Sequence, residues 1–295
     1  MTSQLVWLIT GTSQVSTASL EASGFGRELV LEVLKRGDKV IATTRGSSVH
    51  KLGDLKAAGA YTLELDVTAP LDDLRDTAKK AVEVYGRVDV LVNNAGYGMH
   101  GALEEITPEK TLEQFNGNLF GPLNVTRAIL PYMRAAKSGT ILWNGSMSAW
   151  IPFVGAGLYA ATKAAMHSIS STLNAEISPL GLRSIVIEPG HFRTSIIRNG
   201  KGGGDEHIDD YSVVLAPTQK AYEEFDGKQP GDTKKGATAF VDIVRGEGVA
   251  AGKGLPPVLP LGSDAVEYTK HECEEMLRRI EEWKEVCLST EVETA

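Results

Sequence analysis

Short apolar runs rich in β-forming residues alternate along this 295-residue chain with segments of helical length. The candidate strands occupy 5–10, 39–43, 61–65, 88–92, 140–144, 183–188 and 257–261. Several runs are almost continuously apolar, which is typical of strands buried on both faces of a parallel sheet. Such strands separated by helices predict a doubly wound, Rossmann-like parallel sheet of the α/β class. This length is ordinary for one domain, so we expect 1–295 to form a single domain.

The predicted helices lie between the candidate strands. They cover 26–35, a segment that ends near residue 85, 115–133 and 159–177, and Pro131 is expected to kink or end the third of them. The pattern weakens beyond Thr194, and we expect residues 195–235 to form a mobile cover over the functional site. A charged amphipathic helix is predicted over 264–289.

Composition excludes several classes of protein. A formal net charge of −8 argues against nucleic acid or anionic lipid as a partner. No apolar run reaches the roughly 20 residues needed to cross a bilayer, and the run at 5–10 lacks the basic leader of a signal peptide. Cys273 and Cys287 have no spacing that indicates a disulfide framework or a metal site. We therefore expect a cytoplasmic protein without a metal ion that acts on a small molecule.

Tyr159 and Lys163 lie four residues apart in a predicted helix, and Ser146 precedes Tyr159 by thirteen positions. Residues at i and i+4 are neighbours on one helix face, so the Lys163 ammonium could act on the Tyr159 phenol. A nearby cation favours the phenolate and would lower the pKa of a tyrosine from its free value of about 10. Ser146, or alternatively Ser148, could hydrogen-bond a substrate oxygen there. The set is typical of a carbonyl reductase, although a solvated surface pair has the same spacing.

A glycine-rich segment follows the first candidate strand. Gly11 lies directly after that strand, and Ser23, Gly24, Phe25 and Gly26 open the next helix. Glycines at these positions permit a tight turn and let the backbone approach a pyrophosphate, and a helix N-terminus offers free N–H groups to an anion. The segment therefore predicts a dinucleotide-binding loop.

Six separated motifs, in order, make the chain resemble the short-chain dehydrogenase/reductase family from about residue 5 to residue 194. They are the glycines of the loop, Asp66 after the third strand, Asn93-Asn94-Ala95-Gly96 after the fourth, Asn118 in a helix, Ser146 with Tyr159 and Lys163, and Pro189-Gly190 after the sixth. The resemblance implies an NAD(P)-dependent enzyme that transfers a hydride. With all six motifs present, the catalytic interpretation of Tyr159 outweighs that of a surface pair.

The resemblance also implies roles for individual residues. Tyr159 would exchange a proton with the substrate oxygen, Ser146 would hold that oxygen, Lys163 would lower the tyrosine pKa and bind the nicotinamide ribose, and Asn118 would order a water. The other implied cofactor contacts are Asp66 and Val67 at the adenine, Asn94, Ala95 and Gly96 at the ribose, Pro189 and Gly190 in their turn, and Phe192 and Thr194 at the nicotinamide carboxamide. Arg127 is a further candidate, although a solvated helix face explains it equally well.

The end of the second strand bears on the choice of cofactor. A carboxylate there would bind the ribose 2′-hydroxyl of NAD, whereas Thr44 followed by Arg45 suits the 2′-phosphate of NADP. The sequence therefore favours NADP (NADPH) over NAD. The alternative is that Arg45 only faces solvent.

The glycine loop departs from the family pattern. Twelve residues separate Gly11 from Gly24 where the family has three, so nine residues at about 14–22 are surplus. Insertions in surface loops are commonly tolerated, and we expect this one to loop away from the phosphate site. The alternative is that it occupies that site and leaves a non-catalytic binding or regulatory protein with the same fold.

The sequence thus predicts an NADP-dependent oxidoreductase that interconverts a ketone or aldehyde and an alcohol, with Tyr159 as general acid and base. Apolar residues near the motifs, among them Met147, Trp150 and Phe153, favour a lipophilic substrate, although core packing explains several of them equally well. Members of the family often pair through the helices that match 115–133 and 159–177, which implies a homo-oligomer.

Overall fold

The computed structural model describes residues 4–13, 24–194, 196, 201–202 and 207–292. Its strands are β1 (Val6–Ile9), β2 (Lys39–Thr44), β3 (Tyr61–Glu64), β4 (Val90–Asn93), β5 (Met99–His100), β6 (Gly139–Asn144), β7 (Leu182–Pro189), β8 (Lys201–Gly202) and β9 (Val258–Leu261). Its α-helices are α1 (Phe25–Lys35), α2 (Gly53–Ala57), α3 (Leu71–Tyr85), α4 (Pro108–Phe115), α5 (Gly121–Ala136), α6 (Gly157–Ile177), α7 (Ser212–Phe225), α8 (Thr233–Arg245), α9 (Ser263–Glu282) and α10 (Lys284–Leu288).

Seven strands form one parallel sheet in the order β3-β2-β1-β4-β6-β7-β9. Strand β1 lies inside the sheet and pairs with β2 on one side and with β4 on the other, so that Leu8 lies between Ile41 and Leu91. This order confirms the doubly wound, Rossmann-like α/β fold. The direction of winding reverses beside β1, and ligands of such sheets bind at the carboxyl ends of the strands where this reversal occurs. The two-residue strands β5 and β8 form a separate pair that the sequence did not predict.

Successive side chains of a strand point to opposite faces of the sheet, and this alternation divides the core in two. Trp7 and Ile9 pack on one face with side chains from α1 and α8. Leu8 packs on the other face with side chains from α3, α5 and α6. The sheet is therefore covered by helices on both sides, which explains why its strands are almost continuously apolar.

The predicted helix at 115–133 is interrupted in the structure. A π-helical turn, Asn116–Phe120, separates α4 from α5. A side chain at Gly121 would come within 2.7 Å of the carbonyl oxygens of Asn116 and Val67, so glycine permits this close approach. Pro131 lies inside α5, which continues to Ala136, and therefore does not end the helix.

The segment predicted as a cover, 195–235, contains α7 and the first turn of α8. The sequence did not predict α8 as a helix, although the side chain of Asp232 caps it by accepting hydrogen bonds from the N–H groups of Lys234 and Lys235. Its residue Phe240 is fully buried, so α8 belongs to the core. The predicted terminal helix forms as α9 and α10, which are mostly exposed. None of the helices in the described part of the chain is long and apolar enough to span a membrane.

Candidate active site

A cleft of about 660 Å³ opens at the carboxyl ends of the parallel strands, beside the reversal at β1. The loops that follow β1, β2, β3, β4, β6 and β7 form its walls, and α7 contributes Tyr222. The predicted site residues that line it are Gly11, Phe25, Gly26, Arg45, Asp66, Val67, Asn94, Ala95, Gly96, Ser146, Tyr159, Pro189, Gly190, Phe192 and Thr194. The fold therefore brings most of the predicted site together from distant parts of the sequence.

Tyr159 and Ser146 form a hydrogen-bonded pair in this cleft. Tyr159 lies in the first turn of α6, and Ser146 follows β6. The Ser146 hydroxyl also accepts a 3.2 Å hydrogen bond from the backbone N–H of Ser148, which orients it. Of the two candidate serines, Ser146 is therefore the one whose hydroxyl meets the phenol.

The pKa of Tyr159 shifts in the direction opposite to that expected from the nearby lysine. Burial raises the pKa of the phenol above 10.0, and the hydrogen bond with Ser146 acts in the other direction. The physical reason for the rise is desolvation, which disfavours the phenolate. The phenol is therefore protonated at neutral pH.

Lys163 lies one turn beyond Tyr159 on α6 and is almost completely buried. Its Nζ donates a 2.7 Å hydrogen bond to the backbone carbonyl oxygen of Asn144 and lies 5.5 Å from the centroid of the Tyr159 ring. Burial lowers the pKa of Lys163 to about 8, and the negative charge of Glu188 opposes this shift. The lysine therefore lies buried beside the tyrosine ring and does not line the cleft.

Asn118 is buried in the π-helical turn and holds the loop that follows β4. Its Oδ1 accepts a 3.0 Å hydrogen bond from the N–H of Tyr97, and its Nδ2 donates a 2.8 Å hydrogen bond to the Tyr97 carbonyl oxygen. A side chain at Gly96 would lie 3.3 Å from this Oδ1 and 4.0 Å from Nζ of Lys163. Asn118 and Lys163 therefore lie against the same short loop.

The glycine loop, α1 and the loop after β4 are locked together. Nδ2 of Asn94 donates to the carbonyl oxygens of Thr10 and Gly11 at 2.8 and 3.1 Å. A Cβ atom at Gly26 would lie 2.3 Å from that Nδ2, and Gly11 has a left-handed φ of 70°. Gly24 is the N-cap of α1 and provides no side-chain cap. The N-terminus of α1 thus meets the cleft with bare backbone, which fits the pyrophosphate of a dinucleotide.

Two predicted cofactor residues differ in their placement. The Asp66 carboxylate lies at the cleft and accepts hydrogen bonds from the N–H and hydroxyl of Thr68 at 2.9 and 2.8 Å, so it also shapes the turn after β3. Arg127 lies on the exposed face of α5, donates a 2.7 Å hydrogen bond to Asn124, and does not line the cleft. The structure therefore does not bring Arg127 to the site. Ser23 and the surplus segment 14–22 lie outside the described residues.

The end of β2 presents positive charge to the cleft. Arg45 is exposed and lines it together with Ser48 and Lys51, which the sequence did not single out. The Thr44 hydroxyl donates a 2.8 Å hydrogen bond to the Ser13 hydroxyl and so fixes the strand end. Ser48 and Lys51 could have been found because they lie in the short 3-10 helix Gly46–Leu52, which directly follows Arg45.

A buried carboxylate behind the site was also missed. Glu188 is fully buried and accepts hydrogen bonds from Nδ1 of His167 at 2.9 Å and Nε1 of Trp150 at 2.6 Å. Trp150 therefore serves Glu188 and does not line the cleft, unlike Phe153 and Met147. A glutamate directly after the apolar run 185–187 of β7 was the available signal.

The turn after β7 is anchored by β9 and α9. The Gly190 N–H donates to the carbonyl oxygen of Leu261 at 2.9 Å. The backbone N–H and the ring Nδ1 of His191 both donate to Asp264, at 2.8 and 2.9 Å. Phe192 and Thr194, which follow, are thereby held at the cleft. Across the described ranges, no group of three His, Cys, Asp or Glu side chains could hold a metal ion.

Known proteins are similar to this chain in fold and sequence. Residues 18–201 match the family model described as short chain dehydrogenase. Oxidoreductase BOA17 of Botryotinia fuckeliana is 31% identical over 291 residues, which cover 97% of this chain and 98% of that protein. The 3-ketodihydrosphingosine reductase of Bacteroides thetaiotaomicron is 32% identical over 228 residues, 76% of this chain and 78% of that protein.

A solved structure agrees with these matches. A short-chain dehydrogenase from Streptomyces avermitilis superposes with a TM-score of 0.83 at 35% sequence identity, and the match covers 98% of this chain and 100% of that one. The shared sheet order, the cleft and the sequence matches together identify the protein: it belongs to the short-chain dehydrogenase family and is an NAD(P)-dependent oxidoreductase.

Proposed function

We propose that this protein is an NADP-dependent oxidoreductase that interconverts a ketone or aldehyde and an alcohol, with Tyr159 as general acid and base. The observation that carries the proposal is the hydrogen bond between Tyr159 and Ser146 in the cleft that also contains the glycine loop. A substrate carbonyl oxygen at this pair would accept hydrogen bonds from both hydroxyl groups.

The cradle of Gly11, Gly26 and the α1 N-terminus fits a dinucleotide, and Phe192 and Thr194, which line the same cleft, would hold its nicotinamide end. NADPH, when bound, supplies the hydride. Tyr159 then donates its proton to the substrate oxygen as negative charge develops there, and Ser146 holds that oxygen. A phenol that is protonated at neutral pH suits donation, which favours the direction of reduction.

The remaining residues of the centre act on Tyr159. Lys163, as an ammonium, stabilises the phenolate left by proton transfer, and its buried position strengthens that electrostatic interaction. Asn118, which holds the neighbouring loop, is proposed to order the water that returns a proton from solvent. Both residues lie beside Gly96.

The NADP preference rests on the charge at the end of β2. Arg45, Ser48 and Lys51 line the cleft there and offer two cations and a hydroxyl to a 2′-phosphate. The adenine would lie against Asp66 and Val67, and the ribose against Asn94, Ala95 and Gly96.

The substrate is proposed to be a small lipophilic carbonyl compound or alcohol. Met147 and Phe153 line the cleft near Tyr159. The match to a protein named 3-ketodihydrosphingosine reductase supports a ketone as the reducible group. We further propose a cytoplasmic homo-oligomer that pairs through the segments 115–133 and 159–177, the first of which carries the 43% exposed side chain of Phe120.

Oxidation of NADPH and NADH with a panel of ketones and aldehydes tests the proposal. The Tyr159→Phe variant should lose about 10²- to 10⁴-fold in kcat, because the general acid is removed. The variant should still bind NADPH, as measured by the quenching of protein fluorescence. Full turnover by Tyr159→Phe would refute the assignment.

Cofactor binding by the complete chain separates this function from the non-catalytic alternative. Titration with NADPH should show micromolar binding by the full chain and by a variant that lacks residues 14–22. Binding only after the deletion would mean that the surplus segment blocks the phosphate site. Loss of binding in both proteins would contradict the proposed function.

A further inference from the structure

His100 and Tyr222 approach each other in the cleft from different parts of the fold. His100 ends β5, in the segment that follows the Asn93–Gly96 turn, and Tyr222 belongs to α7 in the cover. Their ring centroids are 6.0 Å apart, and both rings line the cleft that contains Tyr159 and Ser146. We infer that these two side chains form a subsite for an uncharged hydroxyl group of the substrate, separate from the reacting carbonyl. The inference rests on the proposed reductase function.

The chemistry of His100 makes it an acceptor. Burial lowers the pKa of the half-buried imidazole, so the ring is neutral at neutral pH. A hydrogen bond to the backbone carbonyl oxygen of Gly155 engages its single N–H group. A neutral imidazole has one donor and one acceptor nitrogen, so the nitrogen that remains can only accept. The partner it requires is an O–H or N–H donor.

The chemistry of Tyr222 complements that of His100. Burial raises the pKa of Tyr222, so its hydroxyl remains protonated and can donate. A ligand hydroxyl can donate to the imidazole and accept from the phenol at the same time. A ketone or ether oxygen could satisfy only the phenol.

Charge near the subsite argues against an acidic substrate. Among the described residues that line the cleft, the Lys and Arg side chains are Arg45 and Lys51, and both belong to the segment after β2. A carboxylate held at His100 would therefore lack a described cation to offset its desolvation. The uncharged hydroxyl is the group that this pair accommodates best.

The surroundings of the subsite are apolar and aromatic. Phe153 and Phe225 flank the ring of His191 at centroid distances of 6.1 and 5.0 Å. Leu215 of α7 lies close to Gly155, within 3.2 Å of where a Cβ atom would stand. These contacts pack α7 against the segments at Gly155 and His191, and the apolar side chains of Met147 and Phe153 line the same cleft as the subsite and Tyr159. The substrate class is thus a lipophilic ketone that carries a hydroxyl group remote from its carbonyl.

Matched pairs of ketones test the inference. Decan-2-one and its monohydroxylated derivatives, with the hydroxyl placed in turn on each carbon from C4 to C10, are reduced with NADPH by the full chain. At least one isomer should exceed decan-2-one in kcat/KM by about tenfold or more, because a site built for a hydroxyl discriminates against an analogue that lacks it. Tyr222→Phe, which keeps the ring, and His100→Leu should each reduce that ratio to below about threefold.

Tyr211→Phe is the matched control. Its hydroxyl lies in the same cover but donates a 2.6 Å hydrogen bond to Glu104 and does not line the cleft, so the ratio should be unchanged. Equal kcat/KM for every isomer and decan-2-one, or a full preference kept by Tyr222→Phe, would overturn the subsite while leaving the reductase function intact.

If no ketone is reduced, binding measurements test the hydroxyl subsite separately from the proposed reductase function. The affinities of NADP⁺-loaded protein for decan-2-ol and for the corresponding diols are then compared by calorimetry. Tighter binding of one diol, lost in Tyr222→Phe, would support the subsite even though the reductase function had failed. Equal affinities for all of these alcohols would overturn it.

Discussion

The buried carboxylate of Glu188 accepts a 2.9 Å hydrogen bond from Nδ1 of His167, one helical turn beyond Lys163 on α6. Its second oxygen accepts a 2.6 Å hydrogen bond from Nε1 of Trp150. The negative charge of Glu188 raises the pKa of Lys163, which burial lowers to about 8. Glu188 therefore acts on the active site through the lysine and does not line the cleft.

Replacing Glu188 with Gln should lower the pKa of Lys163 below about 8. The lysine is cationic below its pKa and neutral above it, so the alkaline fall of kcat/KM for reduction should move to lower pH. Activity at pH 7 should decrease as a result. A pH profile of NADPH oxidation from pH 6 to pH 10 measures the shift.

The amide oxygen of the new glutamine can still accept from Trp150, so packing is expected to be preserved. Glu176→Gln, which removes an exposed carboxylate from the same helix, is the control and should keep the wild-type profile. An unshifted profile in Glu188→Gln would contradict the coupling between Glu188 and Lys163.

The ion pair with Glu188 also predicts a dependence of stability on pH. The hydrogen bond and charge of Glu188 raise the pKa of His167 above 6.5 in the folded protein. The protonated imidazole therefore contributes stability that is fully present below pH 6.5 and is lost as pH rises through the folded pKa. The difference in unfolding free energy between the wild type and His167→Asn should be larger at pH 5.5 than at pH 8.5, as measured by urea unfolding. A difference independent of pH would be inconsistent with the pair.

Removal of the Arg45 guanidinium should weaken NADPH selectively. Arg45→Ala should raise KM for NADPH about 10- to 100-fold, the loss expected for a charge-assisted hydrogen bond, and should leave KM for NADH nearly unchanged. Lys56→Ala removes an exposed cation of α2 that does not line the cleft and serves as the control. Equal effects of Arg45→Ala on the two cofactors would argue against a 2′-phosphate contact.

A methyl group at Gly26 should separate α1 from the loop after β4. A Cβ atom there would lie 2.3 Å from Nδ2 of Asn94 and 3.0 Å from the carbonyl oxygen of Gly11. Gly26→Ala should destabilise the protein by about 1–3 kcal/mol and weaken NADPH binding. Thermal unfolding and fluorescence titration measure the two effects.

Gly53→Ala provides the comparison for that variant. Gly53 begins α2 with φ −57°, and a Cβ atom there would meet nothing within 4 Å. Alanine at this position should leave stability unchanged or raise it by up to about 1 kcal/mol. If Gly26→Ala behaved in the same way, the close contact with Asn94 would not be required.

The sheet was predictable from the sequence because its strands are apolar on both faces and the intervening segments have helical length. Five of the six motifs likewise predicted which loops meet at the cleft, since each of the five includes residues that follow a strand of the same sheet, whereas Asn118 lies in the π-helical turn. The π-helical turn at 116–120 was not predictable, because it depends on the approach of Gly121 to Val67, a contact between segments far apart in the chain. The position of Arg127 outside the cleft agrees with the alternative of a solvated helix face, because periodicity alone does not show which face of α5 is exposed.

The pKa of Tyr159 shows a different limit of sequence reasoning. The i, i+4 spacing correctly predicted that Lys163 would lie beside the phenol. It could not predict the desolvation of both groups, which depends on the surrounding fold and determines the direction of the shift. Glu188 escaped notice for the same reason, since its partners come from other elements.

Asp264 ties the beginning of the C-terminal helix to His191, two residues after the end of β7. Most of that helix faces solvent, yet its first carboxylate holds the wall on which the nicotinamide is proposed to rest. Substitution of Asp264 should therefore change cofactor binding while every residue around Tyr159 stays the same. Directed evolution of this enzyme could therefore change its cofactor binding at one position that does not contact the reacting groups.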